Sequence, residues 1–509
     1  MVIEQNLYNR LLKARNIDAS KLDTRLDDLP DEKVFANIDA VVERIREAVF
    51  NNEAIVIFGH DDPDGITSTY ILYKFLNDIG CQGHSYYIPN RNLESHGIQD
   101  KFINHVKEHG FKLVVTVDNG ISAKQGVQKL NDLGCDVIVT DHHLIQPEML
   151  PDAYAIMNPH LPECNYPFKA LAGVGVALML IRYLGRMWEQ PIDPASYFWA
   201  AAGSIADKVP MIGMNRVIVR HVLDNFESVQ DQTVQFLLRN YSRVSSQTDI
   251  FSFITYTSRL IANGREEGGR HSGLSFINQL SDAKANLFER LEEQKNLWES
   301  ELNRVFGFLD TLTEDFVGNY FVYFDDDGVI PYSLLGTAAT FIVNRLGIPT
   351  IMLKPHNNHT VCEGRCSDGF NMVKAFTHCK EHLIQFGGHA KAAGFTMEPG
   401  CYDLFLECFN QYLTENYDTS QAEQEIRYDT ECSISEMNSE TWKALEALLP
   451  WGQKNPEPIL KVKDLRASDL SGTWNLDSGS LHLLRDARLD CLVMWRSQNQ
   501  MRILKILDS

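Results

Sequence analysis

At 509 residues the chain is too long for a single core and predicts roughly two to four domains. Apolar residues at 44% and charged residues at 23% are ordinary for a globular protein, and no run of about 18 apolar residues marks a membrane-spanning helix. The formal charge of −21 excludes a general basic grip on nucleic acid, so any such binding has to concentrate positive charge in one groove.

Residues 1–50 read as an N-terminal helical segment. Its first stretch, "MVIEQNLYNRLLKARN", is a mixed amphipathic helix without a signal-peptide core. From residue 51 strands and helices alternate: "AIVIF", a helix from Thr67, "HSYYI", a helix near 99–109, "KLVVTVD", a helix from Ser122, "DVIVTD" and "AYAIMN". Apolar β-rich runs alternating with helices predict an α/β fold, a parallel sheet with helices on both faces. Gly173 to Phe226 continues as helix, which places a first α/β domain at 51–226. Residues 227–312 form a helical region that ends in one long helix, Ser281 to Phe306, about 39 Å at 1.5 Å per residue. That length suits a connector, though a packed helix of one domain has the same pattern. A second α/β domain spans 313–422 and contains "NYFVYFDDD" and "IPTIMLK". Residues 423–509 alternate short strands with turns and predict a small β-barrel.

Ten scattered cysteines contain no CxxC pair. Cys362 and Cys366, near His378-Cys379, would be an irregular zinc cluster, and free thiols in a reducing cytoplasm are the expectation. Residues 341–395 hold six Lys/Arg (Arg345, Lys354, Arg365, Lys374, Lys380, Lys391) against Glu363, Asp368 and Glu381, with five histidines, so positive charge gathers there.

The first strand runs into "GHDDPDG", which puts His60, Asp61, Asp62 and Asp64 into five positions. Like charges so close need compensation, and a divalent cation supplies it. Three further places share this character. Asp118 ends "LVVTVD" before Asn119-Gly120, "VIVTDHH" ends in Asp141, His142 and His143, and Asp207 sits in "AAGSIADKVP". Each has an ordinary reading as a helix cap, a turn or a surface pair. Capping preference does not readily produce four such places in order within one α/β unit, three of them at carboxyl ends of predicted parallel strands. Open α/β sheets bind ligands at that edge. Carboxylates with one or two imidazoles suit Mn²⁺ or Mg²⁺ better than zinc. A carboxylate bridging two ions about 3.5–4 Å apart makes a clamp for phosphoryl transfer.

These blocks resemble the DHH phosphoesterase superfamily: "GHDDPDGITST", "TVDNGIS" and "DHH" at 141–143. Within it, "NPHLPECNYPFKALAGVGVALML", "AAGSIADKVPM", "SRLIANGR", "CEGRCSDGFNMVKAF", "FGGHAKAAGF" and "LLPWGQKNPEPIL" are similar to the RecJ single-strand-specific exonucleases, from about residue 50 to 460. The resemblance implies a DHH catalytic domain, a DHH-associated (DHHA1) domain at 313–422 and an OB-like domain at 423–509. It implies Asp62, Asp64, Asp118, His142 and Asp207 as ligands of two Mn²⁺ or Mg²⁺ ions, with a metal-bound water as nucleophile. His60 either ligates or orients Asp62, and Asp141 orients an imidazole. His143 is expected on the scissile phosphate. The associated domain would close over the metals across a narrow cleft that excludes duplex. It would offer Arg365, Ser367, Gly387, Gly388 and His389 to the substrate, although "FGGHAKAAGF" alone reads as a glycine turn leading into a helix.

Arg259 and Arg265 are further substrate candidates, in a block where Ser258, Ile261 and Asn263 depart from the family pattern. In the terminal domain Trp474 and Trp495 are candidate stacking platforms beside Lys461, Lys463 and Arg466, burial in the barrel being the commoner use of such Trp residues. The implied activity is 5′→3′ hydrolysis of single-stranded DNA, in DNA repair and recombination. A single-strand-binding protein or a helicase is the partner class, with a cytoplasmic monomer and no membrane. Oligoribonucleotides or a cyclic dinucleotide are the alternative substrates. A Cdc45-like non-catalytic scaffold is the alternative of another kind.

Overall fold

In the computed structural model, which describes residues 6–90, 93–94, 97–242, 244–279, 283–314, 316–356, 358–367, 369–417, 427–470, 475–476 and 488–507, the strands form three five-stranded sheets. The chain divides into two units, Met1–Lys295 with Tyr428–Ser509, and Asn296–Arg427.

The first unit begins with α1 (Leu7–Ala14) and α2 (Ile38–Phe50). It continues through β1 (Ile55–Phe58), α3 (Pro63–Asp78), β2 (His84–Tyr87), α4 (Asp100–His109), β3 (Leu113–Val117), α5 (Lys124–Asp132), β4 (Asp136–Thr140) and β5 (Ala155–Met157). The sheet is parallel, in the order β2-β1-β3-β4-β5. Its strands are apolar throughout because both faces are covered. Ile55, Ile57, Leu113, Val115 and Ile138 enter one core with α3, and Val56, Phe58, Val114, Val137 and Val139 enter another with α4 and α5. The period of two in side-chain direction thus divides a continuous apolar run between two cores. Each such buried side chain contributes about 1.5–3 kcal/mol relative to exposure.

Helices α6 (Gly173–Trp188), α7 (Pro194–Ala206), α8 (Gly213–Asp224), α9 (Gln232–Asn240), α10 (Gln247–Ile261) and α11 (Ser272–Asn278) follow. The long helix α12 (Ala283–Thr313) runs from the first unit into the second, as its length suggests for a connector.

The second unit carries β6 (Phe321–Phe324), α13 (Leu335–Leu346), β7 (Thr350–His356), β8 (His359–Arg365), α14 (Met372–His378), β9 (Gln385–His389), β10 (Ala392–Met397) and α15 (Tyr402–Asn416). Its sheet, ordered β6-β7-β8-β10-β9, is parallel only between β6 and β7. The glycine block differs from its sequence reading: "FGGHAKAAGF" is a β9–β10 hairpin, not a turn into a helix. A Cβ on Gly388 would lie 2.4 Å from the Ala392 carbonyl oxygen, so the strands pair there only with glycine. The expectation of ten free thiols also fails. Cys379, at the end of α14, is paired with Cys408 of α15, where packing of the two helices sets the Cα atoms 5.8 Å apart, and the other eight are free.

The chain then returns to the first unit with β11 (Thr430–Cys432), α16 (Ser439–Leu445), β12 (Ile459–Leu465), β13 (Asn475–Leu476), β14 (Leu489–Ser497) and β15 (Gln500–Leu507), in the sheet order β11-β12-β14-β15-β13. The Arg15 guanidinium at the end of α1 forks onto both carboxylate oxygens of Asp429, at 2.8 and 2.7 Å, fastening the N-terminal helix to this terminal sheet. Among the described residues no helix is long and apolar enough to cross a membrane.

Candidate metal centre

The strands β1, β3 and β4 are neighbours at the centre of the parallel sheet, and the chain reverses its direction of growth between β1 and β3. Strands lie about 4.8 Å apart, so side chains just beyond their carboxyl ends converge in the crevice at that switch point. His60 and Asp62 follow β1, Asp118 follows β3, and Asp141, His142 and His143 follow β4.

Local structure then aims each group. Asp62 caps α3, its Oδ1 accepting the Gly65 N–H at 3.0 Å, with Pro63 in the first turn. Gly65 allows the helix to start against His60, because a Cβ there would lie 2.4 Å from the His60 Cβ. Asp64, in the same turn, is buried and accepts the first amides of α6, Gly173 N–H at 2.7 Å and Val174 N–H at 2.8 Å. That helix terminus favours negative charge. Gly173 is required by close approach, since a Cβ would lie 2.5 Å from the Asp118 Cβ. Asp118 has a φ of 59°, a left-handed conformation that Asp tolerates better than most residues and that turns its carboxylate back over the sheet edge. Asp207 ends α7.

Three overlapping donor groups result, each with its ligand atoms within 4.8 Å of one another: His60, Asp62 and Asp118; Asp64, His142 and Asp207; and Asp118, His142 and His143. The first two together contain the six predicted ligands. Asp118 joins them. Its Oδ2 lies 3.7 Å from His60 Nδ1, which is itself 2.9 Å from Asp62 Oδ2. Its Oδ1 lies 3.2 Å from His142 Nε2. A carboxylate with one oxygen turned to each group is the bridging arrangement that a pair of cations uses. All six of these residues, predicted from sequence, are therefore brought together.

The electrostatics call for cations. Burial, then the neighbouring Asp207 and Asp62, push Asp64 well above the carboxylate range, and burial with Asp64 and Asp62 does the same to Asp118. Burial and Asp62 raise Asp207 to about 7. His142 Nδ1 lies 2.9 Å from the Leu171 carbonyl oxygen, which assigns the proton to that nitrogen. Burial and the neighbouring His143 lower His142 to about 4, so the ring is neutral. Its Nε2 lone pair is buried without a hydrogen-bond partner, 3.2, 3.7 and 3.9 Å from oxygens of Asp118, Asp207 and Asp64. A lone pair among three carboxylates is repulsive unless a cation sits between them, so the donor set fits divalent metal.

Asp141 faces away from both groups. Its Oδ1 accepts from His143 Nδ1 at 2.8 Å and from the His142 and His143 amides, and its Oδ2 accepts the Ile121 amide. These bonds and the charge of His143 outweigh burial and hold Asp141 below its usual range. The hydrogen bond to Asp141, acting against burial, raises His143 to about 9. His143 is thus an imidazolium with 57% of its side chain exposed, a fixed cation at the rim.

The expected substrate residues are divided between the two units. Arg265 is committed to the buried Asp61, its Nε donating to Asp61 Oδ2 at 2.8 Å, so it buttresses the loop that carries His60 and Asp62. Arg259 is exposed on α10. In the second unit Arg365 donates to Glu363 Oε2 at 2.7 Å, and the Ser367 hydroxyl donates to the Gly347 carbonyl. Gly387 and Gly388 are exposed on β9, and His389 ends that strand. Trp495 is wholly buried against Trp442, which overturns its reading as a stacking platform, and Trp474 lies outside the described residues. Lys461 and Lys463 pair with Glu431, and Arg466 is exposed. No cysteine joins a donor group among the described residues.

Sequence reasoning missed the backbone groups of Leu171, Gly173 and Val174 and the use of Arg265 on Asp61. It also missed Asn158, whose side chain donates to the His143 carbonyl at 3.0 Å. The signal for the first was present in "LAGVGV", glycines directly ahead of a long apolar helix.

A parallel sheet with paired acid and imidazole donors at its switch point defines a DHH-type phosphoesterase scaffold. The DHH family, N-terminal domain, matches residues 54–203, and the RecJ OB domain matches residues 428–475. The single-stranded-DNA-specific exonuclease RecJ of Salmonella typhimurium is 31% identical over 481 residues, covering 89% of this chain and 82% of its own length. Its namesake in Bacillus subtilis is 30% identical, covering 91% of this chain and 59% of its own length. The crystal structure of RecJ from Thermus thermophilus in complex with Mn²⁺ shares the fold, with a TM-score of 0.77 at 20% identity, over 99% of this chain and 76% of that one. The chain belongs to the RecJ family.

Proposed function

We propose that this chain is an exonuclease that hydrolyses phosphodiester bonds of single-stranded DNA with two divalent cations, Mn²⁺ or Mg²⁺. The observation that carries the reading is Asp118, whose two carboxylate oxygens face two adjoining donor groups. Family membership supports the substrate class. His60, Asp62 and Asp118 would hold one ion, and Asp64, His142 and Asp207 the other, with Asp118 shared. Bound there, the ions supply a water of lowered pKa and neutralise charge on the phosphoryl group.

The chain's own residues do the rest. Leu171 fixes the tautomer of His142 so that Nε2 faces the ion, and the α6 amides hold Asp64 while leaving it anionic when a cation is near. Asp141 keeps His143 protonated, so that it meets a phosphate oxygen as a charged donor. Arg365, Ser367 and the glycine hairpin ending in His389 are the proposed phosphate contacts of the second unit. Because one chain supplies every group of the centre, the reading extends to a monomer. A cytoplasmic location and a single-strand-binding protein or helicase as partner belong to the same proposal.

The test is a nuclease assay with Mn²⁺, Mg²⁺ or EDTA on 5′- and 3′-labelled single strands, duplex DNA, RNA and a cyclic dinucleotide. Metal-dependent release of mononucleotides from single-stranded DNA, in the 5′→3′ direction, is expected. Asp118→Asn should lose more than about 100-fold, beyond what removal of a merely supporting group costs. Preference for the cyclic dinucleotide, or undiminished cleavage by Asp118→Asn, would overturn it.

A further inference from the structure

Asp207 is the one proposed ligand that neither closely follows a strand of the parallel sheet nor sits in the first turn of a helix. It ends α7 and is followed by Lys208, which has a φ of 58°. Something has to fix this stretch, and the structure shows two fastenings. The first is Asn215 near the start of α8, fully buried, whose Nδ2 donates to the Pro210 carbonyl at 3.1 Å and to the Ala170 carbonyl at 2.7 Å. Ala170 precedes Leu171, Gly173 and Val174, the backbone groups that orient His142 and Asp64. One side chain therefore ties the segment after Asp207 to the segment that aims the other two donors of the same group.

The second fastening comes from the terminal part of the chain. The Met211 amide donates to the Gln453 carbonyl at 2.9 Å, and Pro210 bridges Gln453. Gly452 packs on Met211 so closely that a Cβ there would lie 2.5 Å from the Met211 Cγ. The turn is clamped from inside by Asn455, whose Nδ2 donates to the Leu448 and Pro450 carbonyls at 2.8 and 2.7 Å. It is clamped from outside by Arg216, next to Asn215, whose guanidinium donates to the carbonyls of Ala447, Leu448 and Leu449 at 2.7, 3.0 and 2.6 Å.

We propose that the turn Leu448–Asn455 is a positioning element of the metal centre, fixing the segment after Asp207 through the Met211 contact, with Asn215 and Arg216 joining it to the Asp64–His142 side. This rests on the two-cation reading above. Its consequence is that the terminal domain acts on metal affinity, separately from any contact it makes with DNA.

The test uses the full chain without DNA. Mn²⁺ binding is titrated by electron paramagnetic resonance for wild type, Asn455→Ala, Gly452→Ala, Gly452→Ala with Met211→Ala, and Asp118→Ala. Asn455→Ala and Gly452→Ala should each weaken Mn²⁺ binding about tenfold, the size of effect that supporting groups have on metal sites. The Mn²⁺ needed for half-maximal cleavage should rise by the same factor, with KM for a long single strand unchanged at saturating Mn²⁺. Met211→Ala removes the clash and should restore binding in part in the Gly452→Ala background, the strain of an L residue at φ 158° remaining. Asn455→Ala only deletes atoms, so it carries the test if Gly452→Ala does not fold. Unchanged Mn²⁺ binding in the turn variants, or a raised KM with Mn²⁺ binding intact, overturns the proposal. Failure of the two-cation reading looks different: wild type then binds no Mn²⁺, or Asp118→Ala binds it equally well.

Discussion

Replacing Asp207 with Asn should stabilise the metal-free protein while abolishing its response to Mn²⁺. The Asp207 side chain is 28% exposed, and its carboxyl is raised from an ordinary 3.8 to about 7. At about 1.4 kcal/mol per tenfold, this disfavours the charged folded form by about 4 kcal/mol. Below about pH 4 the carboxyl is protonated in both folded and unfolded chains and contributes nothing. Between about 4 and 7 the folded state keeps a proton that the unfolded state has lost, so stability falls as pH rises; above about 7 the full penalty applies. At about 2 °C per kcal/mol for a large unit, Asp207→Asn should melt about 8 °C higher than wild type at pH 8 in EDTA, and about equally at pH 4. His143 does not cancel in this comparison: its stabilisation, complete below its unfolded value of 6.5 and lost as pH rises through about 9, comes first from Asp141 and in part from Asp207, so the variant loses some of it and the gain at high pH is reduced by that amount. Thermal melts across this range, with EDTA and with Mn²⁺, measure the effect. Mn²⁺ should raise the wild-type Tm most at high pH and the variant's little. A wild type and variant that melt in parallel from pH 4 to 8 would refute the argument that unbalanced carboxylates strain this site.

Arg265→Ala leaves the carboxylate of Asp61 buried without its guanidinium and should cost up to about 3 kcal/mol; a double-mutant cycle with Asp61→Asn, read by urea unfolding, should recover most of that as coupling. Gly173→Ala drives a methyl into Asp118 and should depress Mn²⁺ binding and kcat together with a near-native circular dichroism spectrum, whereas unchanged kcat would show that the contact relaxes freely. Trp495→Ala removes a wholly buried indole and should cost about 3–5 kcal/mol of stability. Its KM for single-stranded DNA, measured well below the melting temperature, should stay at the wild-type value, in contrast to what a stacking platform predicts.

The donor set was legible because each of the three strand ends joins a β-branched apolar run to ionisable groups, with a helix start after the first and a glycine turn after the second. Strand adjacency then brings the groups together with no further information, and the dinucleotide His142-His143 is intelligible once its neighbours are known. The division of labour between those two imidazoles came from the family resemblance and not from the residues themselves. Its physical basis is the Leu171 carbonyl, which only the folded chain sets beside His142, and the carboxylate of the adjacent Asp141, which folding buries and turns onto His143. The pairing of Arg265 was not legible for a related reason: its partner Asp61 is 204 positions away, and charge alone does not reveal which acid an arginine meets. The glycine block misled because glycine marks close approach between paired strands as well as turns, and "FGGHAKAAGF" uses it for the former.

The first unit is built from two stretches of chain that the fork of Arg15 onto Asp429 joins, which bears on its biogenesis. The ribosome completes the parallel sheet, then synthesises the whole of Asn296–Arg427 before Asp429 exists. At about 5–20 residues per second that is an interval on the order of 10 s. Throughout it, Thr248 and Met211 have been synthesised while Trp442 and Gln453, their hydrogen-bond partners, have not. The first unit therefore receives these supports only after the second unit has been made.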